Sequence, residues 1–215
     1  MTFRRFGLGL AFAAFLLTAG SGCRSVRTQL TAGAHVAPEW RVLVMPLKEA
    51  DTGRISDFML FGQSGARGSS AVVARCVGHQ LAAGGFSVVS DDELRKAFWD
   101  ERQTFGQAAA LAPEVADRVA RRAGANVLVT GEIQAYQTHW LLFLPVSKVK
   151  FRLGARDPAS GESLWTSEAA RSGFFTSERG LVDKLSARVA YDLRQSIPVA
   201  AQPVESIKGQ SSAAR

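Results

Sequence analysis

The stretch 124–133, Gly-Ala-Asn-Val-Leu-Val-Thr-Gly-Glu-Ile, constrains the fold more than any other part of this sequence. Its apolar, β-branched run at 127–129 predicts a buried strand. The residues before it, 113–123, predict a helix, because Pro113 suits the first helical position and Gly124 suits the left-handed residue just after a helix end. A helix that stops at Gly124 and leads into a central strand would set the position of the remaining elements.

The N-terminal residues 1–22 predict a targeting segment and not part of the fold. Two arginines supply a positive start, and the apolar run at 6–17 is too short to span a bilayer. Small residues then lead to Cys23. This order resembles a bacterial lipoprotein signal, in which the cysteine becomes the lipidated first residue of the mature protein and anchors it to a membrane.

Two points remain for the targeting segment: whether Cys23 is lipidated, and which membrane holds the protein. Ordinary secretory cleavage near Gly20, which leaves Cys23 as a free thiol, is the alternative to lipidation. In lipoproteins that this signal resembles, Asp after the cysteine usually marks retention in the inner membrane. Arg24 at that position therefore favours the outer membrane, with the protein facing the periplasm.

The rest of the pattern predicts one α/β domain over residues 40–197. It is expected to hold a mixed sheet of about five strands with packed helices, in the order β-α-β-α-α-β-β-β-α. Residues 23–39 show no periodicity and predict a tether, and residues 198–215 are polar and small and predict a disordered tail. Strands are expected at 41–46, 86–89, 127–136, 146–156 and 162–172, and helices at 69–83 after a Ser69 or Ser70 cap, at 90–103 after a Ser90–Glu93 capping box, at 113–123, and after Ser177.

Three stretches together resemble one family: 85–89 with its capped helix, 124–131, and 157–165. Similar phrases occur in the same order in CsgG-like bacterial envelope lipoproteins and in their LpoB-like and TolB N-terminal-like relatives. The resemblance covers about residues 41–196. It implies a protein-binding or assembly module that assists envelope assembly, secretion or cell-wall synthesis.

An oligomeric outer-membrane export channel of the CsgG type is the alternative function. Such a channel requires long hairpins with apolar alternation, about nine to eleven residues per membrane strand. Only residues 48–68 and 137–147 are available as insertions, and neither alternates cleanly. The sequence therefore favours a member that binds envelope proteins or itself without forming a pore.

Catalytic and cofactor signatures do not emerge from the sequence, which leads us to expect no enzyme, no cofactor and no metal site. The three histidines, His35, His79 and His139, lack a second ligand at metal spacing. Cys76 on a helix is expected to be a small buried hydrophobe. The net charge of +7 comes from dispersed residues, so we expect no nucleic-acid partner and a mildly basic surface with weak attraction to anionic lipid headgroups.

Two apolar stretches outside the expected core are candidate docking sites for a protein partner or a membrane surface. The first is 140–144, which also reads as an ordinary buried strand, and the second is the centre of the loop 48–68. The candidate residues are Trp140, Leu141, Leu142, Phe143, Phe58 and Phe61.

Overall fold

The computed structural model describes residues 24–32, 34, 39–49, 64–65, 68–141 and 144–197, which form a single mixed α/β domain. All five predicted strands are present in it. The strands are β1 (Arg24–Leu30), β2 (Arg41–Val44), β3 (Lys48–Glu49), β4 (Ser64–Gly65), β5 (Ser87–Val88), β6 (Val127–Leu141), β7 (Leu144–Arg156) and β8 (Ser163–Phe174), and the helices are α1 (Ser69–Ala83), α2 (Asp91–Asp100), α3 (Pro113–Arg122) and α4 (Glu178–Gln195), with a 3₁₀ segment at Phe105–Ala110.

The strands form one sheet in the order β1-β8-β7-β6-β2-β5, and the short strands β3 and β4 also pair with β6. The neighbours β2 and β5 are parallel to each other, and β2 is parallel to β6, whereas β7, β8 and β1 follow in antiparallel register. The strand β6 thus joins the parallel half of the sheet to the antiparallel half. This confirms the central place that the sequence predicts for 127–129.

The turn that enters β6 has the predicted geometry. Pro113 opens α3, and Gly124 follows the helix with a φ of 70°, the left-handed conformation that glycine adopts at least cost. The next strand residues, Val127, Leu128 and Val129, are almost completely buried. Local sequence rules are therefore sufficient to fix this part of the fold.

Helices cover the two faces of the sheet unequally. On one face α1 and α4 cover the sheet from β2 to β8, and on the other α2 and α3 cover only the region around β2 and the start of β6. Apart from the Arg156 end of β7, which is bonded to Asp117 of α3, the second face of β7, β8 and β1 therefore has no helix over it among the described residues; we call it the open face. Members of the first core include Val77, Leu81, Phe151, Trp165, Leu181, Leu185 and Val189, and members of the second include Leu43, Met45, Leu94, Phe98, Val119 and Leu128.

The predicted tether is wrong for residues 24–30. Arg24–Leu30 forms β1, and every residue of it pairs with β8. The sequence of this edge strand shows little apolar periodicity, because Val26 is the one residue in it that packs against the core. Main-chain pairing, together with a hydrogen bond of 3.1 Å between the hydroxyls of Thr28 and Ser167, holds the strand instead. The sheet therefore begins directly after Cys23 in the sequence.

The predicted serine cap of α1 is also wrong. The residue that precedes the helix is Gly68, in a left-handed conformation, and the side chain that accepts from the first helical turn is the carboxylate of Glu49, 3.2 Å from the Ser70 amide. Ser69 instead donates a hydrogen bond of 2.7 Å to the carboxylate of Glu49, and the Ser70 hydroxyl donates to the carbonyl of Leu47. Both hydroxyls thus tie the helix to the chain beside β3.

The predicted capping box of α2 is confirmed. The Ser90 hydroxyl accepts from the Glu93 amide, and the Glu93 carboxylate accepts from the Ser90 amide at 2.9 Å. The guanidinium of Arg41 adds a bond of 2.7 Å to the same carboxylate. These interactions hold Glu93, the third residue of α2, between that helix and the start of β2.

These hydrogen bonds from Ser90, followed by that from Arg41, lower the pKa of Glu93 from its ordinary value of 4.5. A depressed folded pKa adds stability above the unfolded value, and this contribution disappears as pH falls through the folded value. We therefore expect Glu93→Gln to lower the urea midpoint at pH 7, and we expect this difference to shrink as the Glu93 carboxylate becomes protonated at acidic pH. A difference between the two proteins that stays constant with pH would contradict this assignment.

Candidate functional site

The structure describes only some of the predicted docking residues. Cys23, Phe58, Phe61, Leu142 and Phe143 lie outside the described residues, as do the predicted signal segment 1–22 and the tail 198–215. The backbones of Trp140 and Leu141 form the last residues of β6, without described side chains. Trp140 and Leu141 thus end β6, and Leu144 begins β7, so these residues do not form a separate strand.

The distal end of the β6–β7 hairpin is apolar, and we call it the hairpin tip. The sheet register pairs Leu141 with Leu144 and Trp140 with Pro145, and it places Phe174 of β8 opposite Val146. Leu144 is 37% exposed. The hairpin tip therefore presents apolar residues to solvent at one end of the sheet.

Phe175 extends the hairpin tip in an unusual conformation. Its φ of 54° is in the left-handed region, which costs a bulky residue about 1–3 kcal/mol, and its side chain is 69% exposed. Its amide donates a hydrogen bond of 3.1 Å to the carbonyl of Pro145, which fixes it beside the start of β7. Packing in the core does not explain why the large apolar side chain of Phe175 is exposed in this unfavourable backbone conformation.

Basic residues follow the hairpin tip along the sheet. Lys148 is exposed and lies opposite Ser172, two residues from Phe174. Arg171 lies opposite Arg24 of β1, three residues from Phe174. Glu178 at the start of α4 is the nearby acid, and its carboxylate accepts a hydrogen bond from the Thr138 hydroxyl. The hairpin tip thus combines an apolar end with positive charge just behind it.

The open face carries charges of alternating sign. The register sets Arg27, Glu168, Arg152, Glu132 and Lys48 directly opposite one another across five successive strands. Opposite charges in such cross-strand pairs contribute about 0.2–1 kcal/mol each, and they keep the surface hydrated. The open face is therefore stable in water without a helix over it, and we do not take it as the main docking surface.

A cavity of about 350 Å³ lies between α1 and α2, against the edge of the sheet at β5; we call it the α1–α2 groove. Its wall is largely apolar, and charged groups stand around its opening. The Arg75 guanidinium lies 3.9 Å from the Asp91 carboxylate, so one positive charge there is partly balanced. The lining includes Val44, Ala74, Gly78, Val88 and Leu94, together with Arg75, His79, Asp91, Arg95 and Phe105.

Trp99 lies on the same helix as several residues of the groove lining. Asp91, Arg95 and Trp99 are spaced four apart on α2 and share one face of the helix. Trp99 is 84% exposed, and the Arg95 guanidinium lies 5.6 Å from the centre of the Phe105 ring. Trp99 and Phe105 are not among the docking residues that the sequence predicts. The sequence feature that could have identified Trp99 is its place on the polar face of a helix whose buried residues are Leu94, Ala97 and Phe98.

The described residues offer little reactive chemistry. Burial, followed by the charge of Asp183, raises the pKa of the half-buried Cys76 thiol, so it stays protonated and unreactive at neutral pH. Within the described ranges, no cluster of three or more His, Cys, Asp or Glu side chains is arranged to hold a metal ion. None of the described helices has the length and apolar character needed to cross a membrane.

No family model and no curated protein sequence matches this chain. Solved structures do. Lipoprotein GNA1162 from Neisseria meningitidis matches with a TM-score of 0.52 at 18% identity, over 73% of this chain and 99% of that one. A PelC dodecamer from Paraburkholderia phytofirmans matches with a TM-score of 0.50 at 20% identity, over 79% and 98% of the two chains.

The E. coli LpoB structure is also similar, with a TM-score of 0.44 at 18% identity over 65% of this chain and 60% of that one, a similarity too low to support an inference. The resemblance to CsgG and TolB stays a prediction. At 18 and 20% identity, the two higher similarities establish a shared fold only. The chain therefore has the fold seen in a bacterial lipoprotein and in PelC.

Proposed function

We propose that this chain is a periplasm-facing lipoprotein of the outer membrane that binds another envelope protein and catalyses no reaction. The observation that carries the proposal is Trp99, which is exposed on the face of α2 that also carries Arg95, a residue of the α1–α2 groove lining. Tryptophan and arginine are the residues that most often dominate binding energy at protein interfaces. Their combination next to an apolar cavity favours a protein partner.

The charges around the α1–α2 groove indicate the chemistry of that partner. Arg75 and Arg95 outnumber the one carboxylate of Asp91 among the lining residues. The wall behind them is apolar. A segment with an apolar side chain flanked by acidic residues would fill the cavity and pair with the arginines, and complementary charges would also speed its association.

Membrane attachment through Cys23 belongs to the same proposal. The lipoprotein-like signal at 1–22 and the fold shared with lipoprotein GNA1162 support it. Arg24 after the cysteine supports the outer membrane. Because β1 begins at that residue, the folded domain would stay close to the bilayer and would not move on a long tether.

Self-assembly is a second candidate function, including a role as a component of an oligomeric export channel. Its support is that PelC, which has the same fold, is described as a dodecamer. The edge strand β1 pairs only with β8 and leaves its other edge free among the described strands. A second copy could add to that edge by main-chain pairing.

Photo-cross-linking in intact cells tests the proposal. Trp99 is replaced by p-benzoylphenylalanine, and the same residue is placed at Tyr191 on α4 as a control, since Tyr191 is also an exposed aromatic, at 52%. We expect a heterologous adduct from position 99 and at least tenfold less from position 191. Addition of Arg95→Glu should remove most of the adduct at 99.

Other results would decide against protein binding at the α1–α2 groove. An absence of adducts at 99, or equal adducts at both positions, would contradict it, and an adduct of twice the mass of the chain would favour self-assembly. Fractionation of the same cells tests the anchor. Mature protein that washes off the membrane in high salt alone would show that Cys23 carries no lipid.

A further inference from the structure

We propose that the hairpin tip inserts into the headgroup region of a bilayer that contains anionic lipids, beside the position of Cys23. The proposal concerns Leu144, Pro145, Val146, Phe174 and Phe175 of the tip. It rests on the proposed membrane anchoring for the orientation of the domain. The α1–α2 groove would then remain available to a protein partner.

The sheet register supplies the first argument. Arg24 lies opposite Arg171, and β8 continues three residues further to Phe174, about 10 Å at roughly 3.3 Å per residue. Because β1 is antiparallel to β8, β1 begins toward the end of the sheet where β8 finishes. Cys23 directly precedes β1 in the sequence. An anchor at Cys23 would therefore hold the hairpin tip, and not the opposite end of the sheet, against the membrane.

The apolar content of the tip supplies the second argument. Phe175 projects from a left-handed backbone conformation, with most of its side chain exposed, and Leu144 is exposed beside it on the hairpin. The backbone of Trp140 pairs with Pro145 at the same level of the sheet. Aromatic residues at the end of a folded domain are typical of contact with the membrane–water interface.

Charge complementarity supplies the third argument and selects anionic lipid as the occupant. Arg171 and Lys148 lie two to three residues behind Phe174, at the depth where phosphate groups would lie if the tip were inserted. The nearby carboxylate of Glu178 is bonded to Thr138 and is followed by Arg179. The region directly behind the tip is therefore net positive. Such a pattern attracts the surface of an anionic leaflet.

Depth-dependent fluorescence quenching tests this inference on the mature full-length protein. The protein is reconstituted in vesicles of phosphatidylethanolamine and phosphatidylglycerol, and Phe175→Cys in a Cys76→Ala background carries an environment-sensitive fluorophore. The matched control is Trp99→Cys in the same background, another exposed aromatic position, on a helix next to the opposite end of β6. Thermal melts establish that each labelled variant is folded.

Spin-labelled lipids with a shallow quencher should quench position 175 at least threefold more than position 99. Lys148→Glu combined with Arg171→Glu, or replacement of phosphatidylglycerol by phosphatidylcholine, should reduce the quenching at 175 by at least half. Equal quenching at the two positions, or quenching at 175 that is independent of these charges, would overturn the inference.

Vesicle flotation in the same samples separates this inference from the proposed anchoring. Protein that floats with the vesicles but shows no preferential quenching at 175 would leave the anchor in place and overturn tip insertion. Protein that neither floats nor shows quenching would overturn both. Cross-linking at Trp99 in cells is independent of either result, because Trp99 lies on α2 and not on the strands of the hairpin tip.

Discussion

Replacement of Leu128 by alanine is expected to lower the free energy of unfolding by about 2–5 kcal/mol. Leu128 has 0% of its surface exposed and lies in the middle of the buried start of β6. It packs in the cluster that joins the sheet to α2 and α3. The smaller side chain would remove apolar contacts and leave a cavity that a central strand, paired on both sides, cannot close.

Urea unfolding followed by circular dichroism measures this effect. The matched control is Leu144→Ala, which changes the same residue type in the same hairpin at a position that is 37% exposed. The control should change the free energy of unfolding by less than about 1 kcal/mol. If Leu128→Ala also cost less than about 1 kcal/mol, the placement of 127–129 in the core would be wrong.

Replacement of Gly131 by alanine is expected to be the second most damaging of these substitutions, at about 3 kcal/mol, the upper end of the usual overpacking cost. A Cβ atom at this position would lie 2.3 Å from the carbonyl oxygen of Arg152 and 3.0 Å from Cδ2 of Leu153. The oxygen belongs to the backbone of β7, which is directly paired with β6. Relief of the clash would require the two central strands to separate.

Gly154→Ala is the matched control for this prediction. Gly154 lies in β7, opposite Thr130, and a Cβ atom there would have no heavy atom within 4 Å. Alanine should be neutral at this position or should stabilise the protein by up to about 1 kcal/mol, because it reduces the freedom of the unfolded chain. Thermal melts of both variants make the comparison. Equal destabilisation would show that the close approach at Gly131 is not the cause.

The two surfaces for which we propose binding lie in different parts of the sheet. The hairpin tip is formed by the distal ends of β6, β7 and β8, whereas the α1–α2 groove lies against β2 and β5, which join the sheet at the first residues of β6. A protein held at a membrane by the tip would thus present Trp99 away from the bilayer. This arrangement makes simultaneous membrane and protein binding geometrically compatible.

The sequence by itself determined the features that depend on neighbouring residues. The helix end at Gly124, the capping box of Ser90 and Glu93, and the alternation along β7 follow from local backbone preferences and from the two-residue period of a strand. The mixed α/β class follows from the order of these elements. The lipoprotein-like segment before Cys23 is a sequence prediction outside the described residues.

The tertiary structure decided the features that depend on residues far apart in the chain. Arg24–Leu30 is a strand because β8 supplies its hydrogen-bond partners, and Gly131 is constrained because Arg152 passes within contact distance. Phe175 lies beside Pro145, and β1 begins near the hairpin tip, only through the register of β7 and β8. The residues next to these in the sequence form no distinctive pattern, so a local pattern cannot predict their contacts. Sheet pairing brings them together, and this pairing defines the surfaces to which we assign binding.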